Sequence, residues 1–251
     1  MSSEPLASLP ATSGASAMRV VTVSRTYGSG GGEVAARLAY RLGWRLLDHQ
    51  FIAHLERHLG LSKQEAEARD EHAEGIIAHV LSGLRLGYPG VVQDVPPSPV
   101  DLDLASRQML RQMIQKAADE GRVVIVGRGG FALLAERRDV LRVEIVAPLK
   151  QRVAYVMQRE GLDERAASAR IQQKDQRRRR YVETVYHLRP GEPEQFDLTI
   201  NTAVLTLDHA VDLISLALAQ KEQQLAAPAE ALGPGAGLSR YPIQPERERG
   251  A

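Results

Sequence analysis

Apolar residues follow two alternating periods along this chain. Val20-Val21-Thr22-Val23 is a β-branched run that empties into Ser24-Arg25-Thr26-Tyr27-Gly28-Ser29-Gly30-Gly31-Gly32. Val34, Leu38 and Leu42, with Ala35 and Ala39, then recur at helical spacing as far as Gly43. The pattern predicts a strand, a glycine loop and an amphipathic helix stopped by a left-handed cap. Trp44-Arg45-Leu46-Leu47-Asp48 reads as a short buried strand ending on a carboxylate. A helix over Gln50 to Leu59 follows, and the Ser62/Glu65 capping-box spacing opens a longer polar helix to about Leu86.

Tyr88 to Asp101 holds four prolines and reads as a loop between two helical halves. Leu104, Met109, Met113 and Ala117 mark the next helix, closed by Gly121. Val123-Val124-Ile125-Val126 is a continuous apolar strand of the kind buried on both faces, and Gly127-Arg128-Gly129-Gly130 lies at its carboxyl end. Val140 to Val146 is a further strand; it leads through Ala147-Pro148 into a helix to about Arg159. Asp163 caps a helix that grows basic toward Arg180, Leu198-Thr199-Ile200 ends at Asn201-Thr202, and Asp208 is the expected cap of a last helix to about Gln223. Strands alternating with helices specify an α/β fold with a parallel sheet.

The glycine loop supplies the candidate chemistry. Between a strand and a helix, backbone N–H groups of Tyr27, Gly28, Ser29, Gly30, Gly31 and Gly32 can converge on an anion, and the helix N-terminus adds partial positive charge there. When Gly30 is matched to the second glycine of G-x-x-x-x-G-K-[ST], the first glycine falls on Arg25. The lysine falls on Gly31, and the hydroxyl position is Gly32 or Glu33. Some other cation must therefore meet the β- and γ-phosphates, and Arg25 is the nearest; its plain alternative is an ion pair with a surface carboxylate. Asp48, at a strand's carboxyl end, points to a ligand crevice, or else caps the following helix.

Composition narrows the remaining choices. The chain has 251 residues, 43% hydrophobic and 25% charged, with a formal net charge of +1, enough for one globular domain and without a global field for nucleic acid or membrane. Lys174 and Arg177 to Arg180 form a basic run, but aromatic residues make up only 4% of the chain, which argues against stacking on single-stranded nucleic acid. No cysteine is present, excluding disulfides and thiolate metal sites and suiting a reducing, cytoplasmic setting. His54/His58 and His72/His79 lack a zincin glutamate and read as surface histidines. No apolar run is long enough to span a bilayer. Residues 1–17 and 224–251 are rich in small, proline or charged residues and are expected to be disordered.

Six ordered blocks, at 24–31, 43–48, 124–129, 145–148, 174–180 and 197–202, together resemble the cytidylate kinase-like family of P-loop nucleoside monophosphate kinases. The resemblance implies a three-layer P-loop kinase domain over 18–223 with a five-stranded parallel sheet. It also implies a helical monophosphate-binding insert at about 49–103 and an arginine-rich lid at about 160–190. It further implies ATP and Mg2+ as cofactors, Gly28 to Gly32 around the donor phosphates, and Arg128 on the acceptor phosphate. Asp48 would act as base, acceptor contact or partner of a Mg2+-bound water. Arg177, Arg178 or Arg179 would close on the transferring group, Arg179 also serving the acceptor. Small-molecule nucleotides are then the partners, with CMP or dCMP the expected acceptor. Gly129 and Phe131 replace the acids by which relatives read the base. A nucleotide-binding regulatory module is the alternative, as is a kinase of another small acceptor.

Overall fold

The computed structural model describes residues 18–48, 99–228 and 231–233, with 99–106 as backbone only. The predicted helices over 50–86 and the four histidines lie outside the described residues, as do the leader and most of the tail.

β1 (Val20–Arg25), β2 (Arg45–Leu47), β3 (Val123–Val126), β4 (Val140–Val146) and β5 (Leu198–Asn201) form one sheet in the order β2-β3-β1-β4-β5. Every pairing is parallel, with Val20 beside Val123 on one side and Val140 on the other. Central position explains the sequence of β1 and β3: neighbours on both edges and helices on both faces demand apolar residues at every position, and Val123–Val126 is buried throughout.

Helices cover the two faces. α1 (Gly31–Leu42) buries Val34, Ala35, Leu38 and Ala39 and ends on Gly43 in the left-handed region at φ 62°. It packs with α6 (Leu207–Gln224) on one core that includes Val21, Val23, Val143, Ile145 and Ile214. On the other face Leu110, Ile114 and Ala118 of α2 (Pro99–Glu120) meet Val20, Val123 and Ile125. α3 (Gly130–Leu133) follows β3, and α4 (Leu149–Glu160) follows β4. α5 (Glu164–Tyr186) packs on α4 through Val153, Val156, Ala167 and Ile171.

Two boundaries differ from the sequence expectation. α2 begins at Pro99, inside the stretch expected to be loop; proline is well placed at a helix start, where its missing N–H has no partner to lose. The cap of α6 is Thr206, which accepts from the His209 N–H at 3.2 Å, while Asp208 sits inside the first turn and pairs with Arg37 of α1 at 2.7 Å. Asp163 does cap α5, accepting from the Ala166 N–H at 2.7 Å.

Candidate active site

The glycine loop turns over the carboxyl end of β1, where parallel-sheet crevices lie. Its shape is fixed from below. The buried Ser29 hydroxyl lies 2.9 Å from the Thr26 carbonyl and 3.0 Å from that of Ile145, and Thr202 donates to the Ser29 carbonyl at 2.8 Å. The Ser29 hydroxyl thus ties the loop to β4, its carbonyl is held by the residue after β5, and its side chain is taken up by these contacts. Above the loop lies a cavity of about 220 Å³, bounded by Arg25, Gly30 to Gly32, Tyr155 and Arg178 among others.

Space explains why no lysine stands at Gly31. A Cβ built there would come 2.6 Å from the Arg25 Cβ and 3.1 Å from its Cγ. The arginine stem already fills the volume a lysine stem would take. Arg25 then reaches across to Gly127, whose own Cβ would fall 1.9 Å from the guanidinium. Burial, followed by the charges of Arg178 and Arg128, pushes the Arg25 ionisation down to about 9, against a smaller pull from Asp48. Of the residues singled out from sequence, Asp48, Arg128 and Arg178 are therefore each within electrostatic reach of Arg25, and Arg178 lines the cavity with it. The repulsion of Arg25 by two other arginines is of the kind that an added anion relieves.

Of the three lid candidates only Arg178 faces this cluster. Its guanidinium donates to the Arg25 carbonyl at 3.2 Å and lies 5.4 Å from the Tyr27 ring centre. Burial pushes its ionisation below the ordinary arginine value. Arg177 and Arg179 are exposed and are not among the cavity's lining residues. Helical geometry separates them, since adjacent positions point about 100° apart.

Several site residues carry no signal in the sequence. Asp175, one turn before Arg178, accepts from the Tyr27 N–H at 2.7 Å and from Arg152 at 2.6 Å, and Arg152 also donates to the Tyr27 carbonyl at 3.0 Å. Tyr27 further donates its hydroxyl to Glu160 at 2.6 Å. One loop residue is thus anchored to α4 and α5 through backbone and side chain. Glu33, one of the two positions matched to the Walker hydroxyl, accepts from Tyr155 at 2.6 Å and pairs with Arg159 at 3.0 Å. Burial and that hydrogen bond push the Tyr155 phenol up to about 12. The sequence offers only the i,i+3 spacing of Asp175 and Arg178 as a hint; the rest joins positions far apart in the chain.

Gly30 plays a different part from the one its position suggests. A Cβ there would point away from the anion site and meet Leu207 of α6 at 2.8 Å, on a backbone at φ 76°. Its bareness serves the packing of loop on helix.

Among the described residues no helix is long and apolar enough to cross a membrane, and no cluster of three or more His, Cys, Asp or Glu is placed to hold a metal ion. Mg2+ bound mainly through substrate phosphates and water needs only one or two protein carboxylates; Asp48, which follows β2 and acts on Arg25, is a carboxylate placed at this end of the sheet.

The chain is 34% identical over 116 residues to a uronate isomerase of Corynebacterium glutamicum, a stretch that is 46% of this chain but 22% of that protein. Over 207 residues it is 26% identical to a cytidylate kinase of Methanopyrus kandleri, covering 79% of this chain and 92% of the other. An uncharacterized protein from Eubacterium ventriosum shares the fold, with a TM-score of 0.59 at 19% identity over 80% of this chain and 98% of its own. The model of the cytidylate kinase-like family matches residues 20–204, which takes in all five strands and the glycine loop, and the chain belongs to that family.

Proposed function

We propose that the protein transfers the terminal phosphoryl group of ATP to a nucleoside monophosphate, with CMP or dCMP the expected acceptor. The observation that carries this reading is the convergence of Arg25, Arg128 and Arg178 on the carboxyl ends of β1 and β3, beside the N-terminus of α1. Phosphoryl transfer asks a protein for alignment and for positive charge around the equatorial oxygens, and arginine forks supply both. In this reading the loop N–H groups from Gly28 onward and the α1 terminus bind the donor phosphates, the Tyr27 N–H being taken by Asp175, Arg25 takes the part of the absent lysine, and Arg128 receives the acceptor phosphate. Arg178 comes down from α5 onto the group in transit. Asp48 orients the acceptor or holds a water of the Mg2+ that accompanies ATP and helps neutralise its phosphates.

A second reading has its own observation. The Asp175 carboxylate occupies the Tyr27 N–H, and the lysine position carries no side chain. Both suit a module that holds a nucleotide without transferring phosphate. A coupled ADP-release assay with ATP, Mg2+ and a panel of monophosphates separates the two. ADP formation that depends on one monophosphate supports the kinase, whereas ATP binding with no acceptor-dependent turnover supports the module. Turnover only with a sugar or shikimate-type acceptor would move the chemistry to another small substrate.

A further inference from the structure

Gly127, Arg128 and Gly129 have φ of 74°, 53° and 69°, three successive residues in the left-handed region. That conformation carries strain for an arginine, which surrounding contacts can over-determine. Two side chains from distant parts of the chain do so here. The Arg25 guanidinium lies against Gly127, as described above. On the other side the ring of Tyr186, the last residue of α5, lies where a side chain at 129 would be: a Cβ on Gly129 would come 2.1 Å from its Cε2. The Tyr186 hydroxyl donates to the Arg128 carbonyl at 3.2 Å.

The ring is itself held in place. Tyr181 packs edge-on with centres 6.2 Å apart, and the Arg111 guanidinium of α2 lies 5.8 Å from its centre. Burial, with the nearby Tyr181, pushes the Tyr186 phenol well above its ordinary range, so it remains a proton donor at any working pH. Gly129 and Tyr186 are a matched pair, since an acid at 129 and this ring cannot share the space.

We infer that Tyr186 is a positioning residue for Arg128, clamping the turn after β3 so that the guanidinium is presented to the acceptor's phosphate. The inference rests on the proposed reading of Arg128 as the acceptor-phosphate group. It also links the two substrates mechanically: α5 carries Arg178 about two turns before Tyr186, so one helix meets both the transferring group and the acceptor turn.

Tyr186→Phe removes the hydrogen bond and keeps the ring, and Gly129→Ala pushes the ring away from the other side. With ATP and whichever monophosphate the wild type uses best, both variants are expected to raise the acceptor KM by about 3- to 10-fold, the worth of one neutral hydrogen bond. The ATP KM should stay within about twofold, and Tyr186→Phe should melt only about 2–4 °C below the wild type. An unchanged acceptor KM in Tyr186→Phe, or an equal rise for ATP, overturns the inference. Should the wild type phosphorylate no monophosphate, the functional reading falls separately, and hydrogen exchange with inorganic phosphate decides this point. Phosphate should then protect the amides of 127–130 in the wild type and fail to do so in Tyr186→Phe. Equal protection in both, or none in the wild type, overturns it.

Discussion

Arg25 is the place where activity and stability pull against each other most directly. Its ionisation sits near 9 because it is buried beside Arg128 and Arg178, and the attraction of Asp48 is the smallest of the four influences. The shift from the ordinary arginine value would correspond to about 5 kcal/mol at roughly 1.36 kcal/mol per unit. Relaxation of neighbouring side chains and partial access to solvent reduce the realised penalty to about 1–3 kcal/mol. Because the folded-state value is the lower one, the buried charge costs stability wherever Arg25 is protonated, which for a guanidinium includes pH 7. Arg25→Met keeps the aliphatic stem against Gly31 and removes the charge. It is expected to melt about 3–10 °C above the wild type at pH 7. The same change removes a charge-assisted fork from the phosphates, a loss of about 1.5–3 kcal/mol per hydrogen bond, and should lower kcat/KM on the order of 10²-fold. Arg25→Lys should recover part of the activity, restoring charge without the planar fork. Thermal melts at pH 7, with and without ATP, together with steady-state kinetics, check this. A Met variant that melts below the wild type at pH 7, or that keeps full kcat/KM, refutes it.

Three further outcomes follow from the same geometry. Asp48→Asn keeps the shape and removes the charge that pulls on Arg25, so turnover should fall by about 10²-fold, far more than the modest loss of melting temperature expected from the less compensated arginine; loss of stability with activity retained would mark Asp48 as a helix cap. Gly30→Val places its bulk against Leu207 on a left-handed backbone and should destabilise the fold by about 2–4 kcal/mol in a denaturant titration, with weakened ATP binding following from the displaced loop; a fully stable variant would show that α6 yields at no cost. Asp175→Asn weakens the hold of α5 on the loop through Arg152 and the Tyr27 N–H, so limited proteolysis between Asp175 and Tyr186 should quicken several-fold without ligand and slow again when a bisubstrate analogue bridges the two sides; cleavage unaffected by both changes would mean that α5 does not move.

Among the described residues the order of the strands and longer helices could be read from the sequence because each is a local matter, while the four-residue α3 is too short to show a period. A β-branched run such as Val20–Val23, a 3.6-residue stripe such as Val34–Leu38–Leu42 and a cap such as Asp163 declare themselves within a few residues. So does the glycine loop, and with it the phosphate chemistry and the missing lysine. Errors arose where two local signals competed. Thr206 and Asp208 are both good caps, and the choice fell to Thr206 because Asp208 finds Arg37 on a neighbouring helix. Pro99 reads equally as loop or as helix start. Whether Arg177, Arg178 or Arg179 meets the loop depends on the rotation of α5, which its packing on α4 through Ala167 and Ile171 sets. The contacts of Asp175 with Tyr27, of Arg25 with Gly31 and Gly127, and of Tyr186 with Gly129 join residues with no periodic relation in the chain. A sequence specifies such contacts only through the fold that brings them together, and the glycines at 31, 127 and 129 acquire their meaning from the side chains that occupy their empty space.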